Sequence, residues 1–267
     1  MTLWDAILAL TRQRPGMNAV DNGRDKCILG LDSSTPATAL TFEQGGERLH
    51  FFTEWSLEQS VLLSDQGTAR HESTRHHFAG PGGYQVYLAV DRVPQGSSDS
   101  SRPLCSLTPA LAVSSSTIPS LSSIPAGDRV ARFKPGSRTW WDFPGAGPKL
   151  SKISEINVTH RNHPLTFLQW SCALRAVSEE GKEYQLLRYN CWWFSRVFGL
   201  LLEILVSSPK TDSDRKTLEE SYFKRTRSFQ KELLVSHGDI QQDVIAIESR
   251  YKKLVGPHIY PTTITNI

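Results

Sequence analysis

The chain has 267 residues, of which 39% are hydrophobic and 21% are charged, with a formal net charge of +3. This length suffices to bury a substantial core in one large domain or two small ones. The charge is too small for a dedicated nucleic-acid-binding protein, which concentrates positive charge on one face. The most apolar run, 197–206, is short and contains Glu203, so no membrane-spanning helix is predicted.

The four cysteines are widely spaced and form neither a Cys-x-x-Cys motif nor a cluster with histidines. They are Cys27, Cys105, Cys172 and Cys191. This pattern indicates free thiols in a reducing compartment, not disulfides or a zinc site. The N-terminus lacks the basic region of a secretory signal. We therefore expect a cytoplasmic protein, and the sequence offers no motif for a cofactor or metal.

The N-terminal part is predicted to form a helix followed by a hairpin. Residues 2–14 carry apolar side chains at helical spacing and end before Pro15. The β-prone runs 37–42 and 48–53 are separated by a polar connector that contains glycine, as in a hairpin.

The next hundred residues are predicted to hold little regular structure. We expect a short helix at 55–63, a polar loop at 66–83 and a strand at 84–90, where apolar residues alternate. The loop carries histidines that offer a candidate metal site, with Glu72 or Asp65 as further ligands. These histidines are His71, His76 and His77.

Residues 94–127 are dominated by serine, proline and threonine, a composition that cannot repay the entropy of ordering. They are predicted to be a disordered linker, with a phosphorylated regulatory segment as the alternative. The sheet resumes at 129–133, and the aromatic cluster at 140–143 is expected to pack at a core edge.

Helical signals dominate after residue 150. Pro164 fits the first turn of a helix capped by His163 and ended by Gly181. Asn190 is a favourable N-cap for an apolar helix over 191–206, which the Ser-Ser-Pro sequence at 207–209 ends.

The last fifty residues carry an apolar stripe at steps of three, four and seven. It predicts one long amphipathic helix or two shorter ones broken at Gly238. The stripe either packs on its own domain or contacts a partner or a second copy through 212–255. Its residues are Leu218, Tyr222, Phe229, Leu233, Ile240, Val244, Ile247, Tyr251 and Leu254.

Together these patterns predict an α+β fold, with a small antiparallel sheet packed with helices, a disordered Ser/Pro insertion and C-terminal amphipathic helices. The divisions are an N-terminal helix and sheet part (1–93), the linker (94–127), the rest of the core domain (128–208) and a helical extension (209–267).

One segment has a possible chemical meaning: Asn190, Cys191, two tryptophans and Phe194, which we call the cysteine-aromatic box. Unpaired N–H groups and the helix dipole at a helix start favour the thiolate, the form in which cysteine is a nucleophile. The alternative is structural, because Cys191, Phe194, Phe198 and Leu205 share one helical stripe and free cysteine is often buried.

The box resembles the Asn-Cys-x-x-Phe segment of circularly permuted papain-like proteins, such as NlpC-type and lecithin:retinol acyltransferase-like proteins. It is more similar to proteins of mushroom-forming fungi whose function is not established. The resemblance implies a cysteine hydrolase or acyltransferase with a strand histidine as its base. Run 37–42 holds no histidine, so the candidate catalytic residues are Cys191 with His50 or His163.

Two functions follow. The sequence favours a non-catalytic interaction protein that binds neither nucleic acid nor membranes, because no histidine is placed opposite the thiol. The alternative is a papain-like cysteine hydrolase or acyltransferase that uses Cys191.

Overall fold

The computed structural model describes residues 54–65, 72–80, 83, 85–94, 124–132, 150–158, 164–184, 190–226 and 236–256. The predicted helix at 2–14, the hairpin at 37–53 and the aromatic cluster at 140–143 lie outside these residues.

The described strands form one antiparallel sheet in the order β5-β1-β2-β3-β4, and a two-residue strand, β6, pairs with the outer edge of β4. The strands are β1 (Ser56–Asp65), β2 (Glu72–Ala79), β3 (Gln85–Pro94), β4 (Ile124–Arg132), β5 (Leu150–Asn157) and β6 (Glu183–Tyr184).

Four helices accompany the sheet: α1 (Phe167–Glu180), α2 (Cys191–Ser207), α3 (Asp212–Arg225) and α4 (His237–Val255). Side chains of β2 meet two of them, because Phe78 contacts Trp170 of α1 and His76 contacts both Trp170 and Phe198 of α2. Helix α4 packs mainly against α1 and also against α2. The predicted α+β class, an antiparallel sheet packed with helices, is confirmed.

The helix predicted at 55–63 is wrong, because these residues belong to β1. This strand pairs with β2 on one side and β5 on the other. Its consecutive residues Val61, Leu62 and Leu63 are all buried. A strand buried on both faces shows no alternation of apolar and polar residues, so its sequence does not differ from a short helix.

The polar loop predicted at 66–83 is also wrong over its central part, which forms β2. Glu72, Arg75 and His76 are fully buried there. The polar side chains obscure the strand in the sequence, because the groups that contact them, such as Arg196 for Glu72 and Trp170 for His76, lie far away in sequence.

The predicted strand at 84–90 is confirmed from Gln85 onward and extends to Pro94; Tyr84 lies outside the described residues. Strand β4 begins at Ile124, so the last four residues of the predicted linker 94–127 are strand; residues 95–123 lie outside the described part of the chain. Strand β5 contradicts the expectation of helices from residue 150. It lies at the sheet edge, and only Ser154 and Ile156 within it are buried, so its apolar signal is weak.

The helix starts show which capping predictions hold. The predicted start of α1 is wrong: Thr166, not His163, is the cap, and Pro164 precedes the helix. The Thr166 side chain accepts from the Gln169 N–H, while the Gln169 side chain accepts from the Thr166 N–H. This reciprocal pair is a capping box, in which each of the two residues accepts from the backbone N–H of the other. The predicted end at Gly181 and the predicted Asn190 cap of α2 are both confirmed.

The described residues of the C-terminal stripe lie in two helices, and Gly238 is not a break between them; Phe229 and Leu233 lie outside the described residues. Ser236 caps α4, and Gly238 lies in its first turn. The stripe packs on its own domain, because its α4 residues are buried in the same hydrophobic core as α1, α2 and the sheet. These residues are Ile240, Val244, Ile247 and Tyr251. No helix within the described ranges has the length and apolar character needed to cross a membrane.

Candidate functional site

The cysteine-aromatic box forms the first turn of α2. Asn190 adopts an extended conformation, and its Oδ1 accepts a hydrogen bond from the Trp193 backbone N–H at 3.0 Å. Cys191 is the first helical residue and is half-buried. The thiol therefore lies where the sequence predicts it, at the positive end of a capped helix.

The aromatic residues of the box attach α2 to its neighbours. Trp193 is fully buried, and its Nε1 donates to Asp243 Oδ2 of α4 at 2.8 Å. The guanidinium of Arg92, on β3, lies over the Trp193 ring at 5.1 Å and over the Phe194 ring at 4.7 Å. Contacts of this kind stabilise a buried arginine.

Arg92 belongs to a buried ion pair beneath the box. Its Nε and Nη2 donate to the two carboxylate oxygens of Asp128, on β4, at 2.6 Å each. The Ser178 hydroxyl of α1 donates to the same carboxylate at 2.5 Å. A Cβ at Gly181 would lie only 2.4 Å from Arg92 Nη1 and 2.6 Å from Trp193, so the end of α1 has room for glycine alone.

A second buried ion pair holds α2 one turn further along. Arg196 donates from Nε and Nη2 to the Glu72 carboxylate of β2 at 2.9 Å each, and its Nη1 donates to the Thr226 carbonyl at the end of α3. Its guanidinium lies 5.6 Å from the Trp192 ring centroid. Burial acts to lower the pKa of Arg196, but the Glu72 carboxylate outweighs it, so that the pKa is raised. The start of α2 is thus fixed to β2, β3, β4 and α4.

The described histidines contact other groups. His76 is fully buried, with Nε2 2.8 Å from Thr74 Oγ1 and its ring edge-on to Trp170 and Phe198. Burial lowers the pKa of His76 well below its ordinary value, and the charge of Arg75 adds to this.

The other two described imidazoles are each stacked on an aromatic ring. His77 lies on Tyr87 at a centroid distance of 4.7 Å, and burial lowers its pKa. His237 lies on Phe223 at 4.3 Å.

Only one of the three candidate catalytic residues can be placed. His50 and His163 lie outside the described residues. His76 packs against Phe198, seven residues or about 10 Å along α2 from Cys191. The other described thiol, Cys172 of α1, is also half-buried, and burial raises its pKa to about 11.

The metal-site candidate is not assembled in the described part of the chain. Glu72 is bonded to Arg196, and His76 and His77 are adjacent on β2, so their side chains leave opposite faces of the sheet. No group of three or more His, Cys, Asp or Glu side chains in the described ranges is arranged to hold a metal ion.

A cleft of about 420 Å³ opens at the other end of α2, about 25 Å along the axis from the box. We call it the α2–α3 cleft. It is bounded by the entry to α1, the turn between α2 and α3, and the last turns of α4, with Leu165, Ile204, Ser208, Lys210, Arg215 and Lys252 in its lining. The Ser-Ser-Pro break predicts the turn, but no sequence signal predicts the opening, because its walls come from separate elements.

No family model, curated protein or solved structure matches the chain. The resemblance to papain-like proteins therefore stays a prediction.

Proposed function

We propose that this protein is a non-catalytic interaction protein and that its cysteine-aromatic box is a structural element. The supporting observation is the use made of the side chains around the thiol. Asn190 caps α2, Trp193 bonds to α4, and Phe194 packs on Arg92. These roles account for a polar-Cys-aromatic sequence at a helix start without any catalytic requirement.

The proposed contact with a protein partner or a second copy uses residues 212–255 of a cytoplasmic protein. Since the apolar stripe of α4 is buried, the contact has to use the outward sides of α3 and α4. Ile245 is 60% exposed there, and it is the exposed large hydrophobic residue of the described chain. Replacing Ile245 by lysine should abolish association in analytical ultracentrifugation, whereas Ser249→Lys, at an exposed position of α4, controls for added charge nearby. Unchanged sedimentation of Ile245→Lys contradicts this surface.

The second candidate function is a cysteine hydrolase or acyltransferase. The observation in its favour is the half-buried thiol at the N-terminal turn of a capped 17-residue helix. Here Cys191 attacks a carbonyl, His50 or His163 takes the thiol proton, and the resulting acyl thioester passes to water or an amine.

Alkylation of Cys191 separates the two functions. We would measure the rate of iodoacetamide modification by peptide mapping at about pH 6 and pH 8.5, in the parent chain and in the variants His50→Ala and His163→Ala. A thiol with no imidazole partner reacts mainly at the higher pH, because only the thiolate is nucleophilic. We expect the rate at pH 6 to stay within about twofold in both variants.

Cys172 is the internal control, since a pKa of about 11 should leave it almost unmodified at both pH values. A drop of more than about tenfold at pH 6 in either histidine variant would show a thiolate–imidazolium pair and establish the enzyme instead.

A further inference from the structure

The turn that ends α2 holds an exposed serine in an unusual conformation. Ser208 has φ 44° and ψ 61°, the left-handed region, and caps the helix through its N–H, which donates to the Ile204 carbonyl at 2.8 Å. Its hydroxyl donates to the Leu205 carbonyl at 3.2 Å. Pro209 follows directly, so the chain leaves the helix in a surface turn.

The α2–α3 cleft around Ser208 is lined by three cationic side chains and two carboxylates, namely Lys210, Arg215, Lys252, Asp212 and Glu248. Arg215 is already held by Glu219 at 2.8 Å and by Glu248 at 2.6 Å. Lys210 and Lys252 are exposed, and within the described part of the chain neither forms an ion pair. One lysine follows Ser208 in the turn and the other lies on α4, so the two approach the cleft from different elements.

We propose that Ser208 is a phosphorylation site for a proline-directed serine/threonine kinase, and that the phosphate is held in the cleft by Lys210 and Lys252. The Ser208 Oγ attacks the γ-phosphorus of ATP. An Oγ–P bond forms as the bond to the ADP oxygen breaks, and the hydroxyl proton passes to the base of the kinase. The product carries a charge of about −1.5 to −2 and three acceptor oxygens.

Two opposing effects follow from the position of the phosphate. Negative charge at the C-terminal end of α2 is unfavourable with the helix dipole, and the hydroxyl donor to Leu205 is lost. Lys210 and Lys252 act in the other direction, because a dianion between two ammonium groups makes charge-assisted hydrogen bonds. The modification therefore joins the α2–α3 turn to α4 across the cleft.

Site mapping on the folded full-length chain tests the first half of the proposal. The other two Ser/Thr-Pro sequences begin at Thr35 and Thr108, so the substrate would be the Thr35→Val/Thr108→Val variant. Treated with a purified proline-directed kinase and ATP, it should gain one phosphate, on Ser208. Pro209→Ala should slow the reaction by more than about tenfold, while Ser213, exposed but with no proline after it, stays unmodified. Absence of phosphate on Ser208 overturns the proposal.

Thermal unfolding tests the role of the lysines. The midpoint would be measured with and without the phosphate, in that background and with Lys210→Gln/Lys252→Gln added. The change in midpoint caused by the phosphate should be about 2–4 °C more favourable when both lysines are present than when they are replaced. High salt should reduce this difference, because it screens the charges. If the phosphate shifts the midpoint equally with and without the two lysines, they do not hold the phosphate in the cleft. Both lysines are exposed, so their replacement leaves the fold intact.

Discussion

The polar groups at the two ends of α2 differ in burial and in pairing. At the start, the guanidinium groups of Arg92 and Arg196 are buried, each paired with a carboxylate and covered by a tryptophan. At the end, Ser208 and Lys210 are exposed beside an open cleft. The cysteine-aromatic box thus coincides with the buried, ion-paired start of the helix, while the accessible polar groups lie at its other end, beside the Ser208-Pro209 sequence.

The largest loss of stability is expected from breaking the buried ion pair between Arg92 and Asp128, at the start of α2. Replacing Arg92 by leucine leaves Asp128 buried with Ser178 as its donor. Removing one partner of a buried ion pair typically lowers the free energy of unfolding by about 3–5 kcal/mol. Urea unfolding followed by tryptophan fluorescence measures the loss.

The matched control is Arg175→Leu, which breaks the partly exposed pair with Glu179 on α1. It should cost about 0.3–0.5 kcal/mol, as for other exposed helix pairs. The double variant Arg92→Leu/Asp128→Leu should be more stable than Arg92→Leu alone, because it removes the orphaned carboxylate. A cost for Arg92→Leu as small as that of the control would show that the start of α2 is no more constrained than its end.

A smaller loss of stability is expected at acidic pH, because of the buried His76 beneath the centre of α2. Because burial lowers the pKa of His76 in the folded state, the unfolded chain takes up its proton first as the pH falls. Stability is unaffected by this group above about pH 6.5 and falls below it, by at most about 1.4 kcal/mol per pH unit, until the folded protein is also protonated.

Unfolding free energies measured between about pH 7.5 and 5 test this slope. His76→Met should remove this contribution, whereas His237→Gln, in the exposed first turn of α4, should leave it in place. His77, whose pKa is also lowered by burial, should keep a smaller slope in the His76→Met variant. A slope as steep in His76→Met as in the parent would assign the acid sensitivity to groups other than His76.

His76 also shows which part of the fold could be predicted from the sequence. The strand at 84–90, both ends of α2 and the glycine that ends α1 follow from local patterns: alternation, caps and helix breakers. Strand β2 does not, because Glu72 and His76 are buried only through contacts with α1 and α2, about a hundred residues later. A local pattern contains no information about such partners.

The same limit applies to the candidate site. The sequence predicts Asn190 as a cap and Cys191 at the helix start, since both depend on neighbouring residues. It does not predict that Trp193 bonds to Asp243, fifty residues away, or that an open cleft lies at the far end of the helix. Those features depend on how separate elements meet, and the proposed structural role of the box rests on the first of them.

The smallest change in stability is expected from Ser208→Gly, at the C-terminal end of α2. Glycine adopts the left-handed conformation without the steric cost of a Cβ, and it is the preferred residue after a helix C-terminus. Against this gain stands the hydroxyl bond to Leu205 at 3.2 Å. We expect a net stabilisation of up to about 0.5 kcal/mol, and a loss of similar size for Ser208→Ala, which keeps the Cβ and removes the hydroxyl. At the start of α2, Asn190→Ala should lower the free energy of unfolding by about 0.5–2 kcal/mol, because it removes the N-cap. Should Ser208→Gly instead destabilise the protein as much as Asn190→Ala does, the hydroxyl bond would dominate, and the two ends of the helix would be held equally firmly.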